Sequence, residues 1–141
     1  LKLIQKINLV SKLDLIAHLP PKSISNKEGR RLQLVFEYAM NHFSSTVTLD
    51  KVAELIHMTT PAFCRFFKRH TNKTFFEFLI ELRIAHACQL LAKEEKESIA
   101  EIAEFSGFNS ISNFNRTFKR IKTISPSKYA KRMKSTQAYQ F

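Results

Sequence analysis

Apolar residues recur along this chain at the spacing of helices, not of strands. Leu3, Ile7, Val10 and Leu13, widened by Leu9 and Ile16, predict an amphipathic helix over residues 1–19. Pro20 and Pro21 stop it, so residues 1–21 stand apart, and the Ser, Asn, Lys and Gly content of residues 22–29 reads as a linker. A second helix is expected from Arg30 to Phe43, where Leu32, Val35, Phe36, Ala39 and Phe43 share a face. A short one follows from Leu49 to Ile56, with Thr48 as N-cap and Asp50 in the first turn. The next begins after Thr59 or Thr60, tolerates Pro61 in its first turn and ends near His70. Thr74 to Glu77 has the form of a capping box opening a long helix through Phe78, Leu82, Ala85, Cys88 and Leu91 to about Ala92. Ser98 to Glu101 is another, starting a short helix that halts at Ser106 and Gly107. A further helix begins after Asn109 or Ser110, and Ser125-Pro126 opens the last. No segment alternates as a strand, so the expected class is all-α.

The decisive feature is an internal repeat. Phe63-Cys64-Arg65-Phe66-Phe67-Lys68-Arg69 returns 51 positions later as Phe114-Asn115-Arg116-Thr117-Phe118-Lys119-Arg120. Upstream, Val52-Ala53-Glu54-Leu55 matches Ile102-Ala103-Glu104-Phe105 at an offset of 50, so the second copy carries one extra residue in its turn. Downstream, Thr74 and Phe78 align with Ser125 and Tyr129, again at 51. Each copy is a short helix, a turn and a second helix, the pattern of a DNA-binding helix-turn-helix. Spacing assigns roles: Phe63 with Phe67, and Phe114 with Phe118, stand at i and i+4 and face a core, while Arg65 and Arg116 point roughly the other way. Ala53 and Ala103 are small where two helices approach. Two helix-turn-helix subdomains are therefore expected at residues 30–73 and 94–134, joined by a linker helix over 74–93 and followed by a tail over 135–141. A linker helix of about 18 residues is about 27 Å long, compatible with two recognition helices in major grooves about 34 Å apart on one duplex.

Composition sharpens this picture. With 141 residues, 44% of them hydrophobic, the chain can bury a core, and two Gly and four Pro are too few for an all-β chain. The formal net charge of +11 points to a polyanionic partner, and no acidic residue follows Glu104, whereas Arg116, Lys119, Arg120, Lys122, Lys128, Lys131, Arg132 and Lys134 all do. For Lys128, Lys131, Arg132 and Lys134, a solvated face is nearly as good a reading as a phosphate contact. Cys64 and Cys88 are far apart and lack ligand-spaced neighbours, so neither a disulfide framework nor a zinc site is expected, and a reducing cytoplasm is the simplest setting. His18, His42, His57, His70 and His86 show no ligand spacing, and Glu94, Glu95 and Glu97 read as a solvated charge run. No phosphate-cradling Gly loop and no nucleophile and base motif argues for an enzyme, and no cofactor is expected. No apolar run reaches the roughly 20 residues of a membrane span. Because the chain opens on Leu1, it is expected to be the carboxyl-terminal portion of something longer.

The second copy, Ile102-Ala103 through Gly107-Phe108, then Phe114-x-Arg116-x-Phe118-Lys119, then Ser125-Pro126-x-x-Tyr129, resembles the AraC/XylS family of transcription regulators. The likeness runs from about Arg30 to Lys134, with two departures: His57 stands where the family often has Gly or a small polar residue, and Asn72 where Gly commonly ends the first recognition helix. Asn tolerates the left-handed conformation such a position needs. The resemblance implies base-edge contacts from Pro61, Cys64 and Arg65, and from Ile111, Ser112, Asn113, Asn115 and Arg116. Arg suits guanine and Asn adenine, each in a bidentate manner, while Ile and Pro offer apolar contact to a thymine methyl. Lys68, Arg69, Lys119 and Arg120 are better suited to phosphates. The first recognition helix, with Pro and Cys outward, is poorer in polar readers and is expected to discriminate less. The resemblance further implies activation more than repression, RNA polymerase as a partner, and an upstream effector and dimerisation domain, whose closing helix Leu1 to Leu19 resembles. The rival reading is a basic amphipathic module on RNA or an anionic membrane; it accounts for the charge but not for the repeat.

Overall fold

The computed structural model describes residues 25–93 and 96–139. Within them every regular element is helical: α1 (Asn26–His42), α2 (Leu49–Leu55), α3 (Thr60–Thr71), α4 (Phe75–Ala92), α5 (Ile99–Phe105), α6 (Ile111–Lys122) and α7 (Pro126–Ala138). The helix expected over residues 1–19 lies outside the described residues.

Local sequence explains where each helix starts. A Ser or Thr hydroxyl accepts the N–H three residues on in all seven: Ser25 from Glu28, Thr48 from Lys51, Thr59 from Ala62, Thr74 from Glu77, Ser98 from Glu101, Ser110 from Asn113 and Ser125 from Lys128. Each such cap contributes about 1 kcal/mol. Glu77 and Glu101 complete the two expected capping boxes, accepting from the backbone N–H of Thr74 at 3.0 Å and of Ser98 at 2.7 Å. Two boundaries differ from the sequence reading. The expected linker over 22–29 is helical from Asn26 onward, because the Ser25 cap and the carboxylate of Glu28 in the first turn outweigh Gly29 inside the helix. The expected tail over 135–141 is helical as far as Ala138; Ser135 and Thr136 return hydrogen bonds to the carbonyls of Lys131 and Arg132, and Gln137 donates to the carbonyl of Ala92.

The chain divides into two compact units between Leu82 and Arg83, inside α4. In the first, α1 packs on α2 and α2 on α3, and the core is Leu32, Val35, Val52, Ala53, Ile56, Phe63, Phe66, Phe67, Phe75, Phe78, Leu79 and Leu82, among others. In the second, α5 packs on α6 and α6 on α7, over buried Ile84, Ala87, Leu90, Leu91, Ile102, Ala103, Phe108, Phe114 and Phe118. The helix α4 is apolar nearly all round because each half serves a different core.

The repeat extends to ring geometry. Phe63 and Phe67 lie 5.9 Å apart at 51°, Phe114 and Phe118 5.7 Å apart at 57°. Phe67 meets Phe78 at 5.6 Å, and Phe118 meets the equivalent Tyr129 at 5.5 Å. Offset and tilted pairs of this kind add about 0.5–1.5 kcal/mol beyond their area burial.

Both helix-turn-helix turns use one backbone solution. After α2, His57 donates to the carbonyl of Glu54 and Met58 to that of Ala53; after α5, Gly107 donates to Glu104 and Phe108 to Ala103. That is a Schellman closure, which places its penultimate residue in the left-handed region. His57 takes φ 56° and Gly107 φ 90°, so the departure from Gly leaves the turn intact. Because this offset of 50 persists through Phe108 while the caps Thr59 and Ser110 differ by 51, the extra residue is Asn109. The recognition helices also end alike, Asn72 at φ 58° donating to Lys68 and Thr123 at φ 68° donating to Lys119. Asn suits that conformation, but a β-branched Thr does not.

Two stability outcomes follow. Phe118→Ala removes a side chain with no exposed surface and should cost about 3–5 kcal/mol in denaturant unfolding; a cost under about 1 kcal/mol contradicts the assigned packing. Thr123→Gly should raise stability by about 1 kcal/mol, read as a higher thermal midpoint, and a lowered midpoint contradicts the strain assigned to this residue.

Candidate nucleic-acid interface

Burying Phe63, Phe66 and Phe67 commits the opposite side of α3 to solvent. Pro61, Cys64, Arg65 and Lys68 recur there at i, i+3, i+4 and i+7, with Arg69 beside them, and all five are exposed. On α6, buried Phe114, Thr117 and Phe118 do the same for Ser112, Asn115, Arg116, Lys119 and Arg120, also all exposed. Ile111 and Asn113 are exposed too, in the first turn of α6. The structure thus places every residue expected at a base edge or a phosphate on the outward side of one of two equivalent helices. Within each helix it brings them onto one continuous surface. Both helices carry basic residues in their last turn: Lys68, Arg69 and His70 on α3, and Lys119, Arg120 and Lys122 on α6. These favour the negative end of the helix dipole as well as an anionic partner.

The two faces differ in how their cations are held. Arg69 donates to Glu28 of α1 at 3.1 Å, and His70 lies 3.6 Å from the same carboxylate. The Arg69 side chain is 67% exposed, so the pair contributes little to stability. Arg120, its counterpart, makes no ion pair among the described residues. Glu28 was not foreseen as a neighbour of this surface, since 41 residues separate it from Arg69 and no local pattern links them. On α6 the carbonyl oxygen of Asn113 accepts from Arg116 at 3.3 Å and from the Thr117 hydroxyl at 3.4 Å. The same position on α3 is Ala62, and among the described residues the Arg65 guanidinium has no hydrogen-bond partner.

Among the described residues, the buried polar side chains His86, Ser106 and Thr117 all belong to the second unit. Ser106, wholly buried at the end of α5, lies 3.3 Å from Nδ1 of His86 on α4, where the first unit has buried Ile56. Burial, reinforced by the charge of Lys93, lowers the pKa of His86. Burial likewise pushes the Tyr129 hydroxyl up to about 12, with Cys88 beside it adding to the rise. The Cys88 thiol is raised by burial against an opposing pull from Lys122 and the Tyr129 hydrogen bond. Cys64, by contrast, is exposed, and both cysteines are free. Among the described residues no group of His, Cys, Asp and Glu is placed to hold a metal ion, and no helix is long and apolar enough to cross a membrane.

An all-helical fold with a duplicated helix-turn-helix and a basic outward face on each second helix defines a tandem helix-turn-helix domain. Comparison with known proteins agrees: the family described as helix-turn-helix domain matches residues 52–132, from α2 into α7. The transcriptional activator RhrA of Rhizobium meliloti is 32% identical over 113 residues, covering 79% of this chain and 35% of that protein. The C-terminal domain of AraT, a response regulator from Geobacillus stearothermophilus, is 29% identical with a TM-score of 0.65, covering 78% of this chain and 88% of that one. The DNA-binding domain of AdpA, solved in complex with a target DNA, shares the fold with a TM-score of 0.68 at 24% identity, covering 81% of this chain and 98% of that one. This chain belongs to the AraC-type helix-turn-helix family of DNA-binding transcription regulators. It spans less than half the length of the curated relatives it matches.

His86 gives a pH dependence with a definite sign. Its folded-state pKa lies below the ordinary 6.5, so the unfolded chain binds more protons between the two values. Stability conferred by the neutral imidazole is complete above about pH 6.5 and declines as pH falls toward the lowered value. The thermal midpoint should therefore drop on acidification from about pH 7 to 5, and His86→Asn should flatten the drop. An identical slope in the variant contradicts the assignment.

Proposed function

We propose that this chain reads double-stranded DNA sequence-specifically, with α3 and α6 each entering the major groove at successive segments of one duplex. The observation that carries the reading is the matched cationic face: Arg65 with Arg116, Lys68 with Lys119 and Arg69 with Arg120, each set opposite a buried Phe pair. Arg65, Arg116 and Asn115 have the donors and acceptors to discriminate bases; Pro61, Cys64, Ile111, Ser112 and Asn113 complete the contact surface. Lys68, Lys119, Arg69 and Arg120 neutralise phosphates and fix register. Residues 30–73 and 94–134 are the two reading subdomains, with residues 74–93 joining them.

The reading extends to the longer protein of which this chain is the DNA-binding end. It works in the cytoplasm as an activator that engages RNA polymerase, and dimerises through a domain upstream of this chain. Support comes from RhrA, named a transcriptional activator, and from the greater length of the relatives.

Titration of the chain against duplex DNA, single-stranded RNA and anionic vesicles tests this. Saturable, sequence-dependent binding is expected for the duplex, and Lys119→Ala should lower the magnitude of the log–log salt slope by about one unit. Equal affinity for RNA or vesicles contradicts the proposal, and an unaltered slope removes Lys119 from the phosphate contacts.

A further inference from the structure

We infer that Asn113 is a positioning residue that holds Arg116 ready for one base pair, and that this makes α6 the more exacting of the two recognition helices. The inference rests on the groove reading proposed above. Asn113 is the third residue of α6, and its own N–H is engaged by the Ser110 cap. Its backbone is therefore fixed in the first turn of the helix, and its side chain projects from there. A guanidinium carries only donors, and the buried Thr117 hydroxyl donates as well, so the group that meets both is the carboxamide oxygen. One N–H of Arg116 is spent on this contact, which leaves the rest of the planar fork for a guanine edge. The long side chain is thereby ordered before DNA arrives, and less freedom is lost on binding. With its oxygen occupied, Asn113 cannot make the two-point contact to adenine that needs oxygen and nitrogen together.

The first unit supplies an internal control. The helices α3 and α6 have the same length, 12 residues, and the same register, yet α3 has Ala62 where α6 has Asn113 and Phe66 where α6 has Thr117. Arg65 is unrestrained by comparison. Both arginines are exposed, so the difference lies in what orients them and not in burial.

The test uses a duplex selected by this chain, remade with each of the four base pairs at the position where Arg116→Ala abolishes discrimination. Asn113→Ala should cut the preference at that same position about three- to tenfold, and have no further effect once Arg116 is Ala. Asn113→Asp keeps the acceptor; it should restore the preference while weakening binding to every duplex through its charge. Ala62→Asn should sharpen discrimination at the base pair read by Arg65, a gain that a purely structural role for Asn113 does not produce. Circular dichroism confirms that each variant is folded. If Asn113→Ala instead alters a different base position, or adds in full to Arg116→Ala, Asn113 is an independent reader and the inference is overturned. If Arg116→Ala changes no base preference at all, the groove reading falls and takes the inference with it.

Discussion

The interaction everything else depends on is the pairing of two phenylalanines one helical turn apart, locked by a ring from the following helix. In the first unit Phe63, Phe67 and Phe78 make it; in the second Phe114, Phe118 and Tyr129 do. Fully burying one such ring contributes about 1.5–3 kcal/mol. The functional consequence is directional: once that side of α3 or α6 is anchored, the residues opposite have no choice but solvent or a partner. Cation placement then follows from sequence register alone. The Schellman turns serve the same end, because they fix the angle at which each anchored helix leaves its predecessor.

Most of this was legible in the sequence because it is written in short-range code. A Ser or Thr three residues before the N–H it caps, a Phe repeated at i+4 and an offset shared by several segments all survive without knowledge of tertiary contacts. The helices came out within a few residues of their observed ends for that reason. Where the boundary moved at Asn26, a local side-chain bond had outvoted composition; at Ala138 the extension comes with a long-range bond from Gln137 to the carbonyl of Ala92. The left-handed Thr123 stayed hidden because nothing about a threonine announces positive φ; only its alignment with Asn72 hints at it. Contacts joining distant residues leave no period to read. Glu28 with Arg69 and His86 with Ser106 belong to this group. The bond from Arg116 to Asn113 is local, but whether two polar neighbours pair with each other or with solvent is decided by rotamers, not by spacing.

Duplication has preserved the frame and released the surface. The paired rings, the hydroxyl caps, the turn and the three cations recur, whereas the intervening positions have diverged: Pro61 against Ser112, Ala62 against Asn113, Cys64 against Asn115. On the proposed reading this is the division between residues that hold a helix and residues that choose among bases. The polar pair of His86 and Ser106 shows that divergence also reached the interior of the second unit, where a hydrogen bond replaces the apolar Ile56. On the proposed reading, the second helix carries more base chemistry than the first.

The central claim, that each unit reads its own stretch of one duplex, is tested most directly by selecting bound sites from a random duplex pool with the parent chain, Arg65→Ala and Arg116→Ala in parallel. Two separate blocks of enriched bases are expected for the parent, with each substitution erasing a different block and leaving the other. A single block, or both substitutions erasing the same one, contradicts that claim.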